Sequence, residues 1–314
     1  MTNPLLGRHI LDSISLEKSD LDYLIRYTHK LEEAYLKTKH LDLLKNKILA
    51  SLFFEASTRT RLSFETAMTR LGGQIITVEQ AMMSSVSKGE SLEDTAETIS
   101  RFADIIAVRH PQAGSAKTFA KHSVVPILNC GDGSNEHPTQ ALLDLFTIDK
   151  EKQLNTCQSP LKIGFIGDLK HGRTVHSLAT LLRLYNAQMV FISRSNLKVP
   201  ESVKTTLKES KYRFDEVEDL YDVIGDLDIL YVTRIQRERF ECEKTYNEAI
   251  GNYLINQNVL NKSKADLRIL HPLPRVNEID PAIDKDPRVC FFKQVENGVL
   301  VRMALLSLVL GKTL

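Results

Sequence analysis

The chain has almost no net charge: 41 basic and 40 acidic residues among 314 leave a formal charge of +1. A nucleic-acid binder or an anionic-membrane binder would show a surplus of Lys and Arg, so neither partner is expected. Long apolar runs are missing too. None approaches the ~18 residues a membrane span requires, and residues 1–10 contain no apolar core of signal-peptide length. Cysteine is scarce: Cys130, Cys157, Cys242 and Cys290 lie far apart and form no C-x-x-C pair. The nine histidines form no ligand-spaced cluster, and His171 and His176 have the wrong spacing for one helix face. Structural zinc is therefore not expected. Low-complexity segments and short repeats are absent. Two nucleotide signatures are absent as well. Gly164, Gly167 and Gly172 are spaced G-x-x-G-x-x-x-x-G, not G-x-G-x-x-G, and no G-x-x-x-x-G-K-[ST] occurs. These absences lead to the expectation of a reduced, cytoplasmic protein without metal or cofactor.

What remains is an ordinary globular composition, 42% apolar and 26% charged, in a chain long enough for two cores. Helical and strand patterns alternate throughout, so the expected fold class is α/β, with two domains that are each a parallel β-sheet flanked by helices. In the first half the pattern predicts strands over 47–54, 74–78, 104–109 and 124–128, and helices over 61–71, 92–102 and 115–122. Ser91 and Asp94 have the spacing of a helix N-cap and its third residue. In the second half it predicts strands over 161–166, 188–192, 212–214, 229–232 and 268–270, with helices over 174–184, near 200–209 and near 217–224. A helix over 138–149 leads into a polar stretch near 150–160, the expected boundary. The apolar stretch 299–310 reads as a core helix, too short to span a bilayer.

The chemistry gathers where strands end. Ser57, Thr58, Arg59 and Thr60 fall at a strand-to-helix turn. Hydroxyls, a guanidinium and the unsatisfied N–H groups of a helix start make an anion site there, best suited to phosphate. Polar clusters follow the other strands: Arg109-His110, then 129–140 with His137 and Gln140, then 167–174 with Arg173 and Thr174, then Arg234-Ile235-Gln236, then His271-Pro272-Leu273-Pro274-Arg275. A lone arginine at a strand end is usually a surface ion pair. Five such clusters beside the 57–60 turn, in a neutral protein, point to a substrate with several negative charges.

Taken together, the runs STRTR (57–61), HPTQ (137–140), GDLKHGRT (167–174), TRIQ (233–236) and HPLPR (271–275) resemble the transcarbamoylase family, in its order and spacing over nearly the whole chain. The resemblance lies on the aspartate side of the family. The late motif is His271-Pro272-Leu273-Pro274, without the cysteine typical of ornithine enzymes, and no serine-methionine-glycine loop for ornithine occurs. Arg234 and Gln236 suit a second carboxylate and would repel an amine.

The resemblance implies a carbamoyl phosphate-binding domain over 1–150, joined by a C-terminal helix at about 293–314, and an aspartate-binding domain over 151–292. It implies transfer of the carbamoyl group from carbamoyl phosphate to L-aspartate, an early step of pyrimidine synthesis, with no covalent enzyme intermediate. Ser57, Thr58, Arg59 and Thr60 are implied at the phosphate. Thr60, Arg109 and His137 are implied at the carbamoyl oxygen, and Gln140 with the carbonyls of Pro272 and Leu273 at its amide. Arg173 and Thr174 are implied at the α-carboxylate of aspartate and Arg234 and Gln236 at its β-carboxylate, with Leu273 and Pro274 beside them. Ser84 and Lys88 are implied to reach the site from an adjacent subunit, Lys88 touching both substrates, which requires at least a homotrimer. The resemblance leaves two assemblies open, the trimer alone and the trimer with separate regulatory chains. Domain closure is implied to carry Arg173 and Arg234 toward the phosphate site. Two other readings stay open from the residues alone: a transcarbamoylase with another amine acceptor, and a non-catalytic sensor of anionic metabolites.

Overall fold

The computed structural model describes residues 2–79, 89–237, 246 and 253–314. The chain divides into two compact units, Met1–Phe146 with Val295–Leu314, and Thr147–Gln294.

In the first unit, β1 (Ile48–Phe53), β2 (Gln74–Glu79), β3 (Ile105–His110) and β4 (Ile127–Asp132) form one parallel sheet in the order β2-β1-β3-β4. β1 and β3 sit inside the sheet and are buried over nearly their whole length. Covering on both faces explains why their sequences are mostly apolar, with Ser51 the one polar residue of β1 and Arg109-His110 closing β3. β2 is at the edge and half exposed, with polar residues at 74, 77 and 79. The connecting helices are α2 (Thr58–Arg70), α3 (Leu92–Ile99) and α4 (Ser115–His122). Ser91 caps α3, its side chain accepting the Asp94 N–H at 3.0 Å. Because β2 lies on one side of β1 and β3 on the other, the topology reverses between β1 and β3. Such a reversal opens a crevice at the strand C-termini, where ligands bind in open α/β sheets.

In the second unit, β5 (Leu161–Ile166), β6 (Ala187–Ile192), β7 (Phe214–Val217), β8 (Ile229–Val232) and β9 (Arg268–Leu270) are also parallel, in the order β7-β6-β5-β8-β9. The topology reverses between β5 and β8. Alternation along the strands gives this sheet two different faces. Phe165, Phe191 and Tyr231 meet on one, with ring centroids 5.5 and 5.6 Å apart, and Ile166, Ile192, Leu230 and Val232 join an aliphatic cluster on the other.

Several boundaries differ from the sequence reading. The strand expected over 124–128 starts at Ile127 and runs through Asn129-Cys130-Gly131 to Asp132. Pro126 has no N–H for the ladder, and the polar residues read as loop are in fact paired and buried. The strand expected over 212–214 is Phe214–Val217, and no α-helix follows near 217–224. Instead Asp219 caps a 3₁₀ turn, accepting the Tyr221 N–H at 2.9 Å, and a second turn follows over Ile224–Asp226. The long helix α1 (Lys18–Thr38), opened by a reciprocal cap between Glu17 and Asp20, was not anticipated. The C-terminal helix, Phe291–Val309, begins ahead of the apolar stretch at 299–310, and from Val295 onward belongs to the first unit. Among the described residues no helix is long and apolar enough to cross a membrane.

Candidate active site

In the first unit, four residues separate β1 from α2, and the Phe54 N–H donates to Arg109 O at 2.9 Å, tying the ends of β1 and β3 together. Ser57 is the N-cap of α2, yet its side chain makes no capping hydrogen bond. The first intrahelical bond runs from Arg61 N to Ser57 O at 3.3 Å, so the N–H groups ahead of it have no acceptor within the helix. Thr58 and Arg59 are exposed on this turn while Thr60 is buried. The Thr60 hydroxyl lies 3.5 Å from His137 Nε2. Arg109, at the end of β3, has its Nε 3.3 Å from Glu55 Oε2 without the alignment of a hydrogen bond.

His137 is delivered by a stiff loop. Asp132 is buried and accepts from Asn129 Nδ2, Gly114 N, Asn135 Nδ2 and Glu136 N, at 2.9–3.1 Å. Gly133 has φ +57°, and a Cβ there would stand 2.6 Å from Pro111 O, so only glycine allows this turn. α5 (Pro138–Lys152) starts immediately after His137 and carries Gln140 on its first turn.

In the second unit, the β5–β8 crevice is closed at its base by a backbone contact. Gly167 has φ +116°, and a Cβ there would lie 2.1 Å from Thr233 O. Asp168 is fully buried and accepts from the His171 N–H at 3.0 Å and from its Nδ1 at 3.1 Å. Gln236 Nε2 donates to His171 O at 3.2 Å, which joins the loop after β8 to the loop after β5. α6 (Arg173–Leu182) begins with Arg173 and Thr174, capped only by Gly172, which has no side chain to satisfy the N–H groups. His176 lies one turn further on. Burial pushes its pKa down, and its Nε2 donates to Leu169 O at 2.8 Å, so it is a neutral strut of the same loop.

The segment after β9 is held by a buried histidine. The Leu273 N–H donates to His271 Nδ1 at 2.7 Å, which puts the ring proton on Nε2, 2.7 Å from Glu278 Oε1. Glu278 Oε2 accepts the N–H groups of Val276 and Asn277, both at 3.1 Å. Burial pushes the Glu278 carboxyl up, but the hydrogen bonds and the attraction of His271 outweigh it, and the group sits below the ordinary glutamate range. Leu273 has φ +57°, a left-handed conformation that strains a non-glycine residue and fixes where the carbonyls of Pro272 and Leu273 point. Arg275 forms a two-pronged ion pair with Asp284 and stacks 5.0 Å from the Phe291 ring, so it anchors this segment.

Each unit thus gathers its own set. Ser57, Thr58, Arg59, Thr60, Arg109, His137 and Gln140 fall at or beside the β1–β3 crevice. Arg173, Thr174, Arg234 and Gln236 fall at the β5–β8 crevice, with Pro272, Leu273 and Pro274 one strand away after β9. Ser84 and Lys88 lie outside the described residues. The sequence reading passed over the carboxylates that hold these groups: Glu55, Asp132, Asp168 and Glu278. Charged residues inside apolar runs, or one step past a strand, were the available signal.

Chemically, the first set offers hydroxyls and N–H groups of the kind that suit a tetrahedral anion, and the Thr60 hydroxyl 3.5 Å from His137 Nε2, with Arg109 at the end of β3, supplies donor types that an oxyanion hole uses. The second set offers two guanidiniums and an amide, suited to two carboxylates.

Two family descriptions match the chain in order. "Aspartate/ornithine carbamoyltransferase, carbamoyl-P binding domain" covers residues 8–150, and "Aspartate/ornithine carbamoyltransferase, Asp/Orn binding domain" covers residues 159–309. The aspartate carbamoyltransferase catalytic subunit of Thermococcus onnurineus is 48% identical over 305 residues, 97% of each chain. The crystal structure of the catalytic subunit of M. jannaschii aspartate transcarbamoylase superposes with a TM-score of 0.87 at 46% identity, covering 95% of this chain and 96% of that one. The aspartate transcarbamoylase of Trypanosoma cruzi, in complex with N-(phosphonacetyl)-L-aspartic acid, gives a TM-score of 0.90 at 34% identity over 98% of both chains. On motifs, fold and near full-length similarity, the chain belongs to the aspartate/ornithine carbamoyltransferase family.

Proposed function

We propose that this chain transfers the carbamoyl group of carbamoyl phosphate to the amine of L-aspartate, giving N-carbamoyl-L-aspartate and phosphate, and that the two units divide the substrates. The first unit takes carbamoyl phosphate. Ser57, Thr58, Arg59 and Thr60 hold the phosphate with the N–H groups that open α2. Thr60, Arg109 and His137 polarise the carbamoyl oxygen, and Gln140 with the carbonyls of Pro272 and Leu273 accepts from the carbamoyl amide. The second unit takes aspartate, with Arg173 and Thr174 on the α-carboxylate, Arg234 and Gln236 on the β-carboxylate, and Leu273 and Pro274 alongside. The amine attacks the carbamoyl carbon, negative charge collects on the oxygen facing Thr60, Arg109 and His137, and phosphate leaves against Arg59. Orientation and preorganised charge supply the acceleration.

The observation that carries this reading is the placing of an uncapped helix start, with Thr60 3.5 Å from His137, at a topological reversal of a parallel sheet. Support for the acceptor comes from the near full-length similarity to aspartate enzymes. The test is an assay with carbamoyl phosphate and either aspartate or ornithine. Turnover with aspartate alone is expected, and turnover with ornithine alone would sink the assignment.

We further infer a cytoplasmic homotrimer in which Ser84 and Lys88 serve a neighbouring subunit's site. Mixing a Lys88→Ala chain with an Arg59→Ala chain tests the sharing: hybrid trimers regain activity, and a mixture as dead as its parents counts against it.

A further inference from the structure

Gln140 and Asp144 lie one turn apart on α5, and both are buried. Gln140 Nε2 donates to Asp144 Oδ1 at 2.9 Å. A carboxylate only accepts, so this bond decides which end of the Gln140 amide faces Asp144. The nitrogen turns inward, and Oε1 is left to face outward as an acceptor. Arg302 of the C-terminal helix, 3% exposed, is a buried cation that attracts the Asp144 carboxylate. Its Nη1 donates to Ser63 Oγ at 2.9 Å, and its guanidinium carbon stacks 5.1 Å from the Phe64 ring. Ser63 and Phe64 belong to α2, one turn past Thr60. Gly298 leaves room for this guanidinium, since a Cβ there would stand 2.8 Å from Nη1. Burial pushes the pKa of Arg302 down to about 10, against an upward pull from Cys130 and Asp144, so it remains cationic at neutral pH.

We propose that Asp144, with Arg302 as its buried countercharge, is a positioning residue that turns the Gln140 amide oxygen toward the substrate's carbamoyl nitrogen and so selects carbamoyl phosphate over acyl phosphates of the same shape. The inference rests on the reading that Gln140 faces the carbamoyl group. Acetyl phosphate has a methyl group where carbamoyl phosphate has NH₂. An acceptor oxygen at that point favours the amide and leaves the methyl with nothing to donate, whereas a reversed Gln140 would set NH₂ against NH₂.

Asp144→Asn tests this directly. Asparagine keeps one acceptor oxygen, for which the Arg302 guanidinium competes, so its own NH₂ turns to Gln140 and Gln140 reverses. The quantity to read is the ratio of the acetyl phosphate Ki to the carbamoyl phosphate KM, with thermal unfolding recorded alongside. D144N is expected to raise the carbamoyl phosphate KM about tenfold or more, with the acetyl phosphate Ki changed less than about twofold. Gln140→Met, which removes the acceptor, is expected to do the same, and D144N in the Q140M background is expected to add nothing to the ratio.

Equal weakening of both ligands by D144N marks a purely structural residue and overturns the proposal, as do independent, multiplying effects of the two substitutions. If D144N does not fold, D144L/R302M removes both buried charges together, a replacement that cores tolerate. Loss of discrimination in that variant supports the proposal and retained discrimination overturns it. If Q140M itself keeps discrimination, the placing of Gln140 at the carbamoyl group fails. If Q140M loses discrimination and D144N keeps it, only the role of Asp144 fails.

Discussion

The two units build their crevices by the same topology and arm them differently. In the first, the chain passes from β1 into α2 through four residues, and the site is made of the turn itself: hydroxyls, N–H groups and one exposed arginine. In the second, six residues separate β5 from α6, and they are wrapped around the buried carboxylate of Asp168, with Gly167 pressed against Thr233. A phosphate can be held by a short helix start because its oxygens fit the orphan N–H groups directly. Two carboxylates at a fixed separation need side chains brought from two loops, and those loops must be locked to each other. The contrast suggests that damage to the first unit appears in turnover, and damage to the second in the affinity for the amino acid.

Four substitutions, in decreasing order of expected effect, and one pH series test that contrast. Arg59→Ala is expected to lower kcat by about 10²–10³-fold or more, because it removes a cation from the leaving phosphate. A kcat within threefold of the parent would mean that Arg59 only anchors. Arg234→Ala is expected to raise the aspartate KM about 10- to 100-fold, the loss of a charge-assisted bond, with the carbamoyl phosphate Kd unchanged within about twofold. Equal damage to both substrates, measured by calorimetry and initial rates, contradicts the division between units.

Gly167→Ala forces a methyl group against Thr233 O and is expected to cost about 2–3 kcal/mol of stability in urea unfolding. It should also raise the aspartate KM while sparing carbamoyl phosphate. Ser57→Ala comes last. An ordinary N-cap serine is worth about 1 kcal/mol. Ser57 makes no capping bond, so the expected stability change is below about 0.5 kcal/mol while carbamoyl phosphate binding weakens. A full capping loss would show that the hydroxyl serves the helix and not the ligand.

Glu278 gives the pH test. Its folded pKa lies below its unfolded value, so its contribution is complete above the unfolded pKa and is lost as pH falls through the folded one. The stability of the parent should therefore fall below about pH 4. Glu278→Gln should flatten that fall, because its amide cannot accept from all of His271, Val276 and Asn277 at any pH. A variant with the parent's acid limb would place the pH dependence elsewhere.

Legibility in the sequence followed the physics of each element. β5, β8 and β9 were read to the residue because buried parallel strands are continuous apolar runs with abrupt ends. β4 was displaced because Asn129 and Asp132 look like loop residues until their pairing partners are known. The 217–224 segment carries a helical pattern, but Asp219 caps a 3₁₀ turn over Leu220–Asp222, and Val223, with φ −130°, separates it from the next turn over Ile224–Asp226. The ligand-type residues were legible because they cluster within motifs. Their supports were not: the His271 N–H donates to Gln294, 23 positions on, and Arg302 reaches Ser63 across 239 positions, so no local window contains both partners.

The first unit is discontinuous in the chain, and that has a consequence during synthesis. Domains usually fold in the order in which they emerge from the ribosome. Here the N-terminal sheet stays short of Arg302 and Leu305 until the last helix has been made, whereas the second unit has all of its residues, Thr147–Gln294, some twenty positions earlier. The half of the enzyme that is translated first is therefore completed only after the other half has been made.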